Sequence, residues 1–251
     1  MRWSVLSFGL GVYAAALLAL APATLIDARL QRASDSRIRL AAAQGSLWSG
    51  TGWIELRDAH GTSGVAKHLA WRVLPSLLLR GRLVAEVELD QAKPFALAIT
   101  ASRIEIGDAL IDLPAAALGL GMPRLAALRL TGEVHVDIPH LALAQGRMEG
   151  DATLQWRGAG SALTPISPLG AYEVRFKAVG PAMHAALRTL EGPLQLEGKG
   201  TWSNAGAPSF QAIVRVPLEH QDQLSPLLRL VAVERSAGRF ELSSNQVLSP
   251  H

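Results

Sequence analysis

The chain has 251 residues, of which 49% are hydrophobic and 18% are charged, and it contains no cysteine. These proportions exclude a disordered or collagen-like chain, and the missing cysteine excludes a disulfide framework, thiolate metal sites and thiol catalysis. Twenty-four basic residues against 21 acidic ones leave a net charge of only +3. Because so small a surplus does not make a phosphate-binding groove, we expect no nucleic-acid partner.

Residues 1–26 are predicted to be a transmembrane signal anchor. Residues 3–26 carry no charged side chain, and the most apolar run extends from Val5 to Ala21. At about 1.5 Å per residue, a helix of this length crosses a hydrocarbon core of about 30 Å. The alternatives are a signal peptide cleaved after Ala21, which Pro22 disfavours, and a buried helix of a soluble protein. An anchor predicts a single-pass inner (cytoplasmic) membrane protein whose C-terminal domain lies in the periplasm.

Residues 27–44 are predicted to form an amphipathic helical connector, because Leu30 and Ile38 continue a helical spacing of apolar residues. Further along, the period changes to two, and residues 172–179 alternate apolar and charged side chains without interruption. Such alternation indicates an antiparallel sheet with one dry face and one solvated face. The charges on residues 172–179 also suggest an edge strand that stays soluble until a partner pairs with it.

The fold class predicted from these patterns is mainly β, a largely antiparallel, curved sheet that is either an open trough or sandwich-like. Residues 45–251 would form this periplasmic domain, and its two halves would meet near residues 158–168, which are rich in Gly, Ser, Thr and Pro. Short helices are expected near residues 74–79, 114–120 and 225–233. The last of these has Pro226 in its expected first turn.

No catalytic pattern is found in the sequence. Gly198-Lys199-Gly200 lacks the Ser or Thr of a phosphate-binding loop, and the seven histidines lack the spacing of metal ligands. Glu86 and Glu88 share a strand face, but they are expected to form a solvated face rather than an acid–base pair. We therefore expect no catalytic residue, metal or cofactor, and an envelope hydrolase is the least favoured hypothesis.

A series of short motifs resembles the type II secretion system protein N family. The positions that carry the resemblance, in chain order, are Gly45, Leu47, Trp48, Gly50, Trp71, Trp156, Gly192, Pro193 and Leu194. The resemblance implies an accessory, non-enzymatic inner-membrane component with one span and a periplasmic β-rich domain. It also implies that other type II secretion components are its partners, while the nine motif positions have structural roles.

Two functional hypotheses follow. The first is an interaction domain that docks to other secretion components through strand edges or a sheet face. The second is an envelope lipid-binding or lipid-transfer protein with an apolar β groove. It depends on the high apolar fraction of the strands and on the few helices available to cover them.

Overall fold

A computed structural model describes residues 13, 20–58, 64–121, 123–203, 206–230 and 232–243. Its described residues contain one sheet of fourteen strands in the order β1 to β12, then β14 and β13, and every neighbouring pair is antiparallel. This confirms the mainly β, antiparallel class, and the sheet is open. The strands are β1 (Ile38–Gly45), β2 (Ser49–Arg57), β3 (Gly64–Val73), β4 (Leu83–Leu89), β5 (Phe95–Ile99), β6 (Arg103–Pro114), β7 (Leu130–Ala144), β8 (Arg147–Ser161), β9 (Gly170–Gly180), β10 (Ala182–Glu191), β11 (Gln195–Ser203), β12 (Gly206–Arg215), β13 (Val233–Ser236) and β14 (Arg239–Ser243).

The helices are short and lie between or before the strands. Across the described part of the chain, no helix has both the length and the apolar character needed to span a bilayer. Val5 and most of the predicted span lie outside the described residues. The α-helices are α1 (Thr24–Ala33), α2 (Leu118–Gly121), α3 (Pro123–Ala126) and α4 (Gln221–Leu228), and the 3₁₀ helices are Pro75–Arg80, Ala115–Ala117 and Leu218–His220.

The helical connector predicted over residues 27–44 is wrong beyond residue 33. Helix α1 ends at Ala33, and Asp35 and Ser36 then adopt positive φ angles of 49° and 63°, which a helix cannot continue. Strand β1 begins at Ile38, whose backbone N–H donates to the Ser34 hydroxyl at 2.9 Å. Pairing with β2 supplies partners for one side of the β1 backbone, so long-range hydrogen bonds override the local helical spacing.

The C-terminal helix predicted over residues 225–233 is displaced. Helix α4 covers Gln221–Leu228, so that Pro226 lies inside it, and Val233 already begins β13. The 3₁₀ helix Leu218–His220 leads directly into α4, which is why the helical chain starts before the position that proline alone suggested.

Residues 172–179 form an interior strand, which corrects the edge prediction. They belong to β9, which pairs with β8 on one side and β10 on the other. Their charged side chains keep one face of a single-layer sheet in contact with water. Interior and edge strands of such a sheet both expose a face to water, so the charges alone do not indicate an edge. The β8–β9 pairing extends to Ala159 opposite Gly170, so the hydrogen-bonded sheet is continuous across residues 158–168.

Two buried clusters hold helices against the sheet. In the N-terminal cluster, Ile26 and Leu30 of α1 pack against a group that includes Leu40 and Trp71. In the C-terminal cluster, the fully or nearly fully buried side chains are Leu224 and Leu228 of α4 together with Val214 and Phe240 of the sheet, among others. The two helices therefore cover different parts of the sheet, one on the first strands and one on the last.

Candidate interaction surfaces

An ion-pair network surrounds Glu173 of β9 on the polar face. Glu173 is 5% exposed, and its Oε1 accepts from Arg188 Nε at 2.8 Å and from Arg175 Nε at 2.6 Å. Gln155 Nε2 donates to Oε2 at 3.3 Å. The register makes this possible, since Gln155, Glu173 and Arg188 lie directly opposite one another on β8, β9 and β10.

Burial alone would raise the pKa of Glu173, but the Arg188 hydrogen bond, the two positive charges and the Gln155 hydrogen bond lower it below its ordinary value. The carboxylate therefore stays ionised and links three strands. Asp90 is similar: burial raises its pKa, while the Lys67 ammonium, the backbone N–H of His68 and nearby charge together lower it.

Other charged groups on this face also face opposite charges across strands. His135 Nδ1 on β7 lies 2.5 Å from Asp112 Oδ1 on β6, and the register places Arg72 of β3 opposite Glu86 of β4, without an ion pair between them. The described residues hold no group of three His, Asp or Glu side chains placed to bind a metal ion. The arrangement supports ion pairing and solvation of the face.

The opposite face is apolar and is organised in rows of side chains that cross the strands. One row contains Leu113, Val134, Trp156 and Tyr172; the next contains Ile111, Val136, Leu154, Val174 and Leu187; a third contains Ile99, Ile104, Leu143 and Met148. Members of the second and third rows belong to neither buried cluster of the described residues, and Ile104 and Leu143 are 42% and 43% exposed. The middle of the apolar face is therefore only partly covered.

An apolar cavity of about 140 Å³ lies where this face meets α4 and the segment before β7. Its two lining hydroxyls are both engaged: Ser161 Oγ donates to Leu128 O at 2.5 Å, and Tyr172 OH lies 3.0 Å from Leu194 O. Burial raises the pKa of Tyr172 well above its ordinary value. The cavity is lined by Leu118, Leu125, Leu128, Leu130, Trp156, Ser161, Leu169, Tyr172, Leu194, Leu196, Val214, Leu228 and Leu242.

The two edges of the sheet differ. Along β1, the backbone N–H of Leu40 donates to Asp27 Oδ1 at 2.8 Å and that of Ile38 donates to Ser34 Oγ, so α1 and its C-terminal turn take up this edge. At the other edge, all four residues of β13 are exposed, and β14 is the one strand that pairs with β13 among the described residues. The β13 edge thus offers backbone hydrogen-bonding groups to a further strand.

The first five motif positions meet around the β1–β2 turn. Gly45 has a φ of +94°, and Gly50 lies so close to the Trp71 ring that an added Cβ would stand 2.5 Å from it. Trp71 is 8% exposed in the N-terminal cluster, and Trp48 packs against the same cluster. The Leu47 backbone N–H donates to the carbonyl of Ala21 at 2.8 Å.

That last contact concerns the predicted membrane span, since Ala21 is its expected end. Ala21 is 7% exposed, and Pro22 forms an isolated bridge with Ser46. The chain therefore passes from the end of the predicted span directly onto the β1–β2 turn.

The remaining four motif positions lie at the C-terminal cluster or close to it. Trp156 contacts Tyr172 with ring centroids 5.7 Å apart, and Leu194 is 5% exposed. Gly192 has a φ of +109°, and a Cβ there would lie 2.3 Å from the Gly170 Cα. Pro193 is half-buried between Gly192 and Leu194.

Sequence reasoning missed the Glu173 network, the contact of Asp27 with β1 and the apolar cavity. The alternation of residues 172–179 placed Glu173 on the solvated face. Its partners on β8 and β10, however, depend on strand register, which no local pattern contains.

The described residues thus form one open antiparallel β-sheet, with a polar face that carries ion pairs and an apolar face that is partly covered. A family model for the type II secretion system protein N matches residues 36–243, which contain all fourteen strands. The chain belongs to the type II secretion system protein N family. This membership indicates an accessory component of type II secretion, in a family that is generally not enzymatic. No curated protein and no solved structure matches the chain.

Proposed function

We propose that the protein is a non-enzymatic interaction domain of the type II secretion machinery, anchored in the inner membrane by residues 1–26 with its sheet in the periplasm. The observation that carries the proposal is the family match over the whole sheet. The uncharged stretch of residues 3–26 supports the anchor.

Docking is proposed to occur by addition of a partner strand to β13. The charged side chains of this strand are paired with neighbours, since Glu234 Oε2 accepts from Arg229 Nη2 at 2.7 Å and Arg235 Nε donates to Glu241 Oε2 at 2.8 Å. Charges on a short edge strand oppose self-association, while its backbone is still able to pair with a chosen partner. The β1 edge lacks this capacity because α1 and its C-terminal turn occupy it.

Site-specific cross-linking in secreting cells tests the proposal. The chain contains no cysteine, so a single introduced cysteine is unique. Val233→Cys on β13, where Val233 is 42% exposed, is compared with Arg39→Cys on β1 as the matched edge control. A thiol-reactive cross-linker should join V233C, and not R39C, to secretion components identified by immunoblotting.

Adducts from R39C alone, or from neither variant, would contradict docking at β13. Topology is read from the same cells. A membrane-impermeant maleimide should label V233C before lysis if the sheet is periplasmic, and labelling only after lysis would place the sheet on the other side.

A second candidate function, lipid binding, is favoured by the partly covered apolar face. Ile104 and Leu143 stand directly opposite each other on β6 and β7 and are both more than two-fifths exposed. With Ile99, which is 36% exposed, and Met148 they form one apolar row, and large exposed apolar surfaces mark interaction sites or ligand-binding grooves.

A further inference from the structure

The apolar cavity is continuous with the partly covered apolar face. Trp156 lines the cavity, and Leu154, two residues before it on β8, belongs to the second row. Tyr172 and Val174 have the same relation on β9. Since residues two apart on a strand share a face, a ligand lying along the second row reaches the cavity wall without leaving apolar surface.

The polar groups that line the cavity are already hydrogen-bonded, which favours an apolar occupant. The hydroxyls of Ser161 and Tyr172 are engaged with backbone carbonyls, and the Trp156 indole N–H donates to Thr131 O at 3.0 Å. A peptide segment placed here would bury its own N–H and C=O groups without partners, which is strongly unfavourable. A hydrocarbon chain has no such groups and gives up no hydrogen bond on entry.

The size of the cavity limits how much of a chain it holds. Its volume of about 140 Å³ is close to the roughly 150 Å³ of an apolar protein cavity that stays dry and accepts benzene. It therefore takes the last few carbons of a long chain, while the rest of the chain needs other apolar surface. The second row, with Val136, Leu154, Val174 and Leu187 half-buried, supplies that surface.

We propose that the cavity is an acyl-chain site, in which the methyl end of a membrane lipid's chain enters between the sheet and α4 while the chain lies along the second row. This assignment rests on the lipid-binding function proposed above. It adds where the acyl chain binds and which end of the chain enters the cavity. It is independent of docking at β13.

Photolabelling of the full chain in phosphatidylglycerol vesicles tests the assignment. One probe lipid carries a diazirine at the methyl end of its palmitoyl chain, and a second carries it next to the carboxyl group. Labelled residues are mapped by tandem mass spectrometry. The methyl-end probe should label cavity residues such as Leu130, Leu196 and Leu242, and the carboxyl-end probe should label strands outside the cavity.

Cavity-filling variants supply the specificity control. Leu196→Phe, or Leu242→Phe if the first fails to fold, places extra volume in the cavity and should abolish the cavity label. Ile213→Phe is the matched control, because Ile213 stands opposite Glu197 on the polar face of β12 and is likewise half-buried. It should label as the wild type does.

The outcomes distinguish the lipid-binding function from the assignment of the cavity as the acyl-chain site. If the methyl-end probe labels the middle strands and L196F leaves its pattern unchanged, lipid binding stands and the cavity assignment is overturned. If both probes label nothing within residues 36–243, both proposals fail. Equal loss of label in L196F and I213F would attribute the effect to general unfolding and would also overturn the assignment.

Discussion

Replacement of Phe240 by alanine tests whether the C-terminal cluster holds the last strands and α4 together. Phe240 is fully buried on β14, directly opposite Val214, and belongs to the same cluster as Leu224 and Leu228 of α4. Deletion of a fully buried phenyl ring costs its transfer free energy and leaves a cavity. We therefore expect F240A to lower the free energy of unfolding by about 3–5 kcal/mol. F240L retains most of the volume and should cost less than about 1.5 kcal/mol.

Urea unfolding of the reconstituted chain, followed by tryptophan fluorescence and circular dichroism, measures these losses. The matched control is Leu218→Ala, since Leu218 is 84% exposed and its truncation creates no cavity. It should change the free energy of unfolding by less than about 0.5 kcal/mol. The dependence on urea concentration should be the same in all three variants, because the surface exposed on unfolding is nearly unchanged.

A loss below about 1 kcal/mol in F240A, with an unchanged urea dependence, would refute the packing argument. So would an equal loss in F240A and L218A. A double variant with Leu224→Ala should lose less than the sum of the two single losses, because the two side chains belong to one cluster.

Three further predictions concern the polar face, the covered edge and a motif glycine. E173Q should lower stability by about 1 kcal/mol, since its arginine partners are partly solvated, whereas E133Q, at a side chain 80% exposed, should not. The pKa of Glu173 is lowered in the folded state, so its contribution to stability is complete above the glutamate pKa of the unfolded chain and disappears as the pH falls through the folded-state pKa. The urea midpoints of the wild type and E173Q should therefore converge in acid. A difference that stays constant with pH would contradict this. D27A removes the acceptor for the Leu40 backbone N–H on β1 and should lower the free energy of unfolding by about 1 kcal/mol. It should also promote concentration-dependent association through the uncovered β1 edge, measured by light scattering. A D27A variant that stays strictly monomeric would show that Asp27 does not protect this edge. G192A should lower the melting temperature more than G180A, since both glycines have positive φ but only Gly192 is crowded by backbone; equal shifts would attribute the cost to φ alone.

Local patterns in the sequence determined the class of the fold. Uninterrupted alternation, as in residues 172–179, specifies a strand with one wet and one dry face whatever its neighbours are. The family predicted from the motif positions is confirmed by the match over residues 36–243, and Gly45, Gly50 and Gly192 lie at positive φ or at close contacts in this fold. Local patterns did not predict the end of α1 or the start of α4. Pairing of β1 with β2 ends the first helix early, and the 3₁₀ helix before α4 makes the second begin early.

Strand order, edges and cross-strand partners were decided by tertiary structure alone. The charges of residues 172–179 are compatible with an edge or an interior strand, and only the pairing of β9 with β8 and β10 distinguishes the two. Glu173 meets Gln155 and Arg188 through register, and the apolar cavity exists because α4 and the segment before β7 close over one end of the sheet. Periodicity is a property of neighbouring residues, whereas register, edges and cavities depend on contacts between residues far apart in the chain, which a reading of one segment at a time does not contain.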